Sequence, residues 1–170
     1  MTARDLQNEI VKDLKALLTN RQYQTPDGGN SSPNVFRQFL PKREVMGDPA
    51  LIDDEDPFPY IEVRIAGGTI PDSQSAQQVQ VFLIIGIYDN RRENIGSDHV
   101  MEIIEVIQQH YIENPLLAGK FTCDTEDHPI QWDLQEEESW PYFFGIMALT
   151  FNIPAPRRLP VGNKKARMLV

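Results

Sequence analysis

Leu6, Ile10, Leu14, Leu17 and Leu18 recur at helical spacing, which puts them on one face and predicts a helix from about Arg4 to Thr19. Asn8, Lys12 and Lys15 form the opposite, polar face, so this helix lies on a core without being enclosed by it. Thr2 and Asp5 supply an opening cap, with the acid at the positive end of the helix dipole. A second helical pattern, Val100, Ile103, Ile104, Ile107 and Tyr111, predicts a helix from about Ser97 to Tyr111, with Ser97 as N-cap and Pro115 beyond its end.

Between the helices the period changes to two. Tyr60 to Ile65 alternates, with Ile61, Val63 and Ile65 inward and Glu62 and Arg64 outward, the mark of a half-buried strand. Gly67-Gly68 and Pro71-Asp72-Ser73 read as the turn that follows. Val79 to Tyr88 is apolar at both sets of alternate positions over most of its length, which predicts a central strand covered on each face. Shorter strands are expected at about 120–125 and 130–134. A long aromatic one is expected at 142–153, with Phe143, Met147, Leu149, Phe151 and Ile153 on its apolar side and Pro141 at its start, where a strand tolerates proline.

Residues 20–57 show no period. Pro26 to Pro33 is turn chemistry throughout, Val35, Phe36, Phe39 and Leu40 make a short apolar island, and Asp53 to Asp56 are four consecutive acids. So long an arm inside a compact domain points to a functional or disordered segment, with room for a short strand or helical turn. The expected fold is α+β: one domain, 1–156, with two amphipathic helices on one face of a mostly antiparallel sheet of about five strands, followed by a basic tail, 157–170, expected to be flexible. With 170 residues such a domain buries roughly 70% of its unfolded surface and needs no staples.

Charge sharpens this picture. The chain has 16 Lys+Arg and 25 Asp+Glu, net −9, which argues against a general nucleic-acid binder. Arg157, Arg158, Lys164, Lys165 and Arg167 sit in the tail with no acid, leaving 11 bases against all 25 acids in the rest, a net −14. An acidic body with a basic tail favours head-to-tail contact between copies. The longest apolar run is 7 residues, Val81 to Ile87, against the ~20 a membrane helix needs, and no secretory leader pattern opens the sequence. A single cysteine, Cys123, excludes an internal disulfide.

Candidate chemistry is thin. Cys123, Asp124, Glu126, Asp127 and His128 are the densest group of metal-ligand types, without the paired spacing of a zinc site. The run Asp53 to Asp56 lacks the alternation of a calcium loop. His99 and His110 read as surface residues at the two ends of the second helix. Gly67-Gly68 has neither the following helix nor the Lys-Ser/Thr of a phosphate loop. No catalytic residue, cofactor or metal is assigned. Candidate contacts with a neighbour are Phe36, Arg37, Phe39, Lys42 and Arg43 in the arm, and Arg157, Arg158, Lys164, Lys165 and Arg167 in the tail.

The order of elements carries a resemblance. An N-terminal amphipathic helix, a loop, the strand Pro59-Tyr60-Ile61-Glu62-Val63, the strand Ile84-Ile85-Gly86-Ile87-Tyr88-Asp89, a helix opening at Gly96-Ser97 and a final strand pair together resemble the tail terminator and neck-type proteins of long-tailed bacteriophages and prophages, over about residues 5–153. The resemblance implies a ring, commonly a hexamer, that ends tail-tube polymerisation and meets the head connector. DNA passes through without specific binding, and no membrane is involved. It further implies residence in the virion after assembly in the bacterial cytoplasm. Two other classes remain open: a small acidic binding module, such as a secretion chaperone or immunity-type partner, and a metal-dependent hydrolase acting through Asp124, Glu126 and His128.

Overall fold

Thr2 closes the first turn of α1 (Ala3–Leu17) with a reciprocal cap. Its Oγ1 accepts from the Asp5 N–H at 3.2 Å, and its own N–H donates to Asp5 Oδ2 at 2.8 Å. Two of the orphan donors at the helix start are thereby satisfied. The computed structural model describes residues 1–42 and 57–156. After α1 come β1 (Tyr23–Gln24), β2 (Asn30–Ser31), β3 (Asn34–Arg37), β4 (Tyr60–Thr69), β5 (Gln77–Tyr88), α2 (Gly96–Glu113), β6 (Leu116–Leu117), β7 (Phe121–Cys123), β8 (Gln131–Leu134) and β9 (Tyr142–Ile153). None of the described helices is long and apolar enough to cross a membrane.

This corrects the expected sheet of about five mostly antiparallel strands. Seven strands form one mixed sheet in the order β3-β4-β5-β9-β7-β6, with β8 also on β9, and β1 and β2 pair separately. β3 runs parallel to β4, while the other neighbours in that sheet are antiparallel. The strands absent from the sequence reading are two to four residues long, too short to generate an alternating pattern. β3 exists because β4 presents a free edge to it, a relationship between residues 34–37 and 60–63 that no local window contains.

Three further expectations change. Gly67 and Gly68 lie within β4, opposite Gln80 and Val79, after a register shift following Ile65, so the strand continues where a turn was expected. The bulge absorbs the extra residue. At α2 the N-cap is Ile95, without a side-chain hydrogen bond, and not Ser97. Finally, β5 is fully enclosed on one face, where Val79, Val81, Leu83, Ile85 and Ile87 are wholly buried, and only partly on the other, where Phe82, Ile84 and Tyr88 are half-buried and Gly86 lies beneath Phe58 and Tyr60.

The core lies between the sheet and the helices. Leu6, Ile10 and Leu14 of α1 and Val100, Ile103, Ile104, Ile107 and Tyr111 of α2 pack with the inward residues of β4, β5 and β9. Each fully buried aliphatic side chain contributes roughly 1.5–3 kcal/mol. α2 sits close on β9 because position 145 is glycine: a Cβ there would stand 2.6 Å from Val100 Cγ1. Between α2 and the sheet the Tyr111 ring meets Phe151 of β9 edge-on at 5.4 Å.

Candidate functional site

The two lateral edges of the sheet differ in chemistry, and register ties them to the same level. Arg37 of β3 pairs with Val63, Val63 with Leu83, Leu83 with Met147, and Met147 with Trp132 of β8. One row of the sheet therefore starts at Arg37 and ends at Trp132. The adjacent row runs from Phe36 through Glu62, Ile84 and Ile146 to Asp133.

On the β3 side, Phe36 is half-buried, and Arg37 and Lys42 are exposed. Phe39 is 64% exposed, and the Arg64 guanidinium stands 4.8 Å from its ring centroid, a cation–π contact that aims the ring outward. The segment is held by Gln38, a non-glycine residue at φ +67°. Its side-chain amide imitates one more strand residue: Nε2 donates to the Ile65 carbonyl at 3.1 Å, and Oε1 accepts from the Ile65 N–H at 3.0 Å. Gln7, buried on α1, donates to both Gln38 Oε1 and the Val63 carbonyl at 2.8 Å. Glu62, buried, pairs with Arg64 at 2.6 Å and accepts from the Leu40 N–H at 3.2 Å. Of the sequence candidates, the structure thus brings Phe36, Arg37, Phe39 and Lys42 onto one edge. Arg43, Arg157, Arg158, Lys164, Lys165 and Arg167 lie outside the described residues.

On the β8 side, a groove of about 290 Å³ opens between the start of α2 and the β8–β9 connection. It is lined by Asn94, Ser97, Leu134, Gln135, Glu136 to Glu138, Phe143 and Phe144. Glu138 accepts from Asn94 Nδ2 at 2.8 Å, while among the described residues Glu136 and Glu137 carry no ion pair and are exposed. Trp132 (41%) on β8, Trp140 (46%) and Ile146 (36%) on β9 are exposed large apolar side chains on this side of the sheet. On the sheet face beside it, Phe58 packs against Tyr60, Tyr142 and Phe144 with ring centroids 5.0 to 5.9 Å apart. The sequence shows the run of acids, but only the approach of Asn94, just before α2, and Ser97 in its first turn makes it one wall of a groove.

Sequence reasoning also missed a polar joint at the end of β5. Asp89, 1% exposed, takes both Nε and Nη2 of Arg91, the latter at 2.6 Å. His99 Nε2 lies 3.1 Å from Asp89 Oδ2 and 2.7 Å from Arg91 Nη2. The Arg91 side-chain hydrogen bond first, then its backbone N–H and its charge, hold the Asp89 carboxyl below its ordinary range against the opposing effect of burial. Tyr23 meets the His99 ring edge-on at 5.3 Å, and Arg21 pairs with Glu102. The joint fixes the strand-to-helix turn beside the groove, where Trp140 Nε1 donates to the Arg91 carbonyl at 3.1 Å.

The other two histidines are paired as well, His110 with Asp13 and His128 with Asp124, each at 2.8 Å. The dense group at 123–128 does not converge. Cys123 is buried, and Asp124 accepts from the Glu126 and Asp127 amides and from His128, which hold its carboxyl low, the His128 bond first. Among the described residues no three His, Cys, Asp or Glu side chains gather in a way that could hold a metal ion.

The sequence matches no protein-family model and no curated protein. Among the described residues, the sheet presents an aromatic, basic edge at one side and an acidic groove at the other.

Proposed function

We propose that this chain is a structural subunit of a ring, six copies by the family resemblance, at the end of a phage tail tube. There it halts tube polymerisation and joins the tail to the head connector. The observation that carries this reading is the pair of unlike edges. Ring closure needs a heterologous contact in which two different patches of identical subunits meet. Arg37, Phe39 and Lys42 on one side and Trp132, Glu136 and Glu137 on the other supply two such patches on opposite edges of the sheet. The net charge of −9 suits a subunit around a DNA passage, since a wall of that sign repels the duplex where a basic lining would retain it by counterion release.

Negative-stain microscopy and light scattering of the purified protein test the reading, together with tube lengths after co-assembly with a tail-tube protein. Rings with a central opening, and tubes that stop growing when the protein is added, are expected. A chain that stays single at every concentration and leaves tube growth unchanged overturns it.

The acidic groove supports a second reading, a small binding module that covers a basic client. Recovery of the protein in a stoichiometric complex with one basic polypeptide, and never with itself, would favour that alternative.

A further inference from the structure

We propose that the joint at the end of β5 is a proton-operated latch. With His99 uncharged, its Nε2 accepts from Arg91 and holds the turn into α2. A proton on Nε2 commits His99 to Asp89 instead and releases the Arg91 side chain. The inference stands apart from the ring reading and does not need it.

Three atoms form a triangle that one ring nitrogen cannot satisfy. Arg91 Nη2 stands 2.6 Å from Asp89 Oδ2 and 2.7 Å from His99 Nε2, and Nε2 stands 3.1 Å from the same Oδ2. A guanidinium carries donors only, so the 2.7 Å contact requires an unprotonated Nε2 that accepts. The 3.1 Å contact with the carboxylate requires the opposite, an Nε2–H that donates. Only one of the two is a hydrogen bond at a time, and the proton selects it. The shorter contact is the accepting one. It puts the ring proton on Nδ1, which faces Glu102 Oε2 at 3.9 Å, three residues further along α2. Histidine is the side chain that ordinarily changes charge between about pH 5 and 8.

The surrounding charges make Arg91 the group that leaves. Among the described residues, His99 is faced by Asp89 at the end of β5, Arg91 in the turn, Glu102 on α2 and the Tyr23 ring of β1. Arg21 pairs with Glu102, and Glu93 acts on Arg91 from within the turn. Tyr23 stays uncharged, its phenol pushed up to about 12, first of all by burial. With His99 neutral, Asp89 and Glu102 are therefore matched by Arg91 and Arg21. A proton on Nε2 adds a cation in contact with the Arg91 guanidinium. The Asp89 side chain is 1% exposed and fixed in place, whereas that of Arg91 is 43% exposed and free to turn into water.

The consequence reaches the groove. The Arg91 carbonyl accepts from Trp140 Nε1 at 3.1 Å and from the Asn94 N–H at 3.3 Å, and Asn94 lines the groove. Loss of the side-chain anchor loosens the turn that carries both contacts.

The test is an NMR titration of the full chain between about pH 8 and pH 5, in wild type and in His99→Gln, whose side-chain carbonyl accepts from Arg91 but takes no proton. Asp89, held below 3.8, stays ionised throughout, so its own titration does not enter. Imidazole nitrogen shifts are expected to show the Nδ1–H form of His99 at pH 8. As His99 gains its proton, exchange at Arg91 Nε–H should quicken at least tenfold relative to the exposed Arg4, and the Trp140 indole N–H should shift with the same midpoint. In His99→Gln neither change should occur. The wild-type titration decides the matter by itself if that variant fails to fold. An Nε2–H form at pH 8, a His99 that takes no proton in this range, or Arg91 and Trp140 signals that ignore its titration would each overturn the latch. So would equal changes in His99→Gln.

Discussion

Phe143 lies across Gly96 so closely that a Cβ on Gly96 would stand 2.1 Å from the ring's Cδ2. Phe143 is itself buried, so the ring cannot swing aside. Gly96→Ala should therefore destabilise the protein, although alanine is favoured over glycine in helices by ~1 kcal/mol. Overpacking of this kind costs about 1–3 kcal/mol, which for a chain of this size is a fall of about 2–4 °C in Tm per kcal/mol. Calorimetry checks it, and Phe143→Leu combined with Gly96→Ala should recover part of the loss.

Asp89 makes stability depend on pH in a defined direction. Its folded carboxyl titrates below the ordinary value of 3.8, chiefly because of the Arg91 hydrogen bond. Its contribution is complete above that value and is lost as pH falls through the lower folded one. Asp89→Asn should cost about 1–3 kcal/mol at pH 7, near the low end because Arg91 is 43% exposed. Urea titrations between pH 7 and pH 2 should show the wild type and the variant converging as the medium becomes acid. Curves that stay parallel would refute the assignment.

Gln38 ties the β3 edge to the sheet. Gln38→Ala removes both hydrogen bonds to Ile65 and leaves Gln7 with one partner fewer. It should cost about 1–3 kcal/mol and speed amide exchange at Ile65 by roughly fivefold or more, as one such bond is worth about 1 kcal/mol. Gln38→Gly should be milder, since glycine accepts a φ of +67° without strain. Equal exchange at Ile65 in wild type and Gln38→Ala would show that the side chain does not extend the strand.

Cys123 should be inert in the folded protein. Burial pushes its thiol up to about 12, and the thiolate is the reacting species. Labelling with a disulfide reagent at pH 8 should proceed at least 100-fold more slowly than in urea. Rapid labelling of the native chain would mean that β7 opens readily.

Legibility followed the length of the elements. Leu6 to Leu18, Val100 to Tyr111 and Tyr142 to Ile153 were readable because each repeats its period several times, and tertiary packing uses the same faces. β3 and β6, at four and two residues, were not, and neither was the continuation of β4 through Gly67-Gly68, where turn-forming residues serve a bulge instead. Half of the candidate contacts, Phe36, Arg37, Phe39 and Lys42 among them, came from noting the aromatics and bases in an aperiodic arm. Their opposite number, the groove at Glu136 and Glu137, draws its walls from residues about forty positions apart and leaves no mark in any local pattern.

The sequence by itself determined which faces are apolar, where the two helices and the longest strands run, and that the charge is acidic, because those properties belong to neighbouring residues. Only the tertiary structure decided that β3 joins β4 in parallel, that Asp89 gathers Arg91 and His99, and that Arg37 and Trp132 close the two ends of one row. Each of these depends on strand order and register, which are settled by the packing of the whole chain and by the hydrogen-bonding needs of backbone edges that distant segments happen to meet.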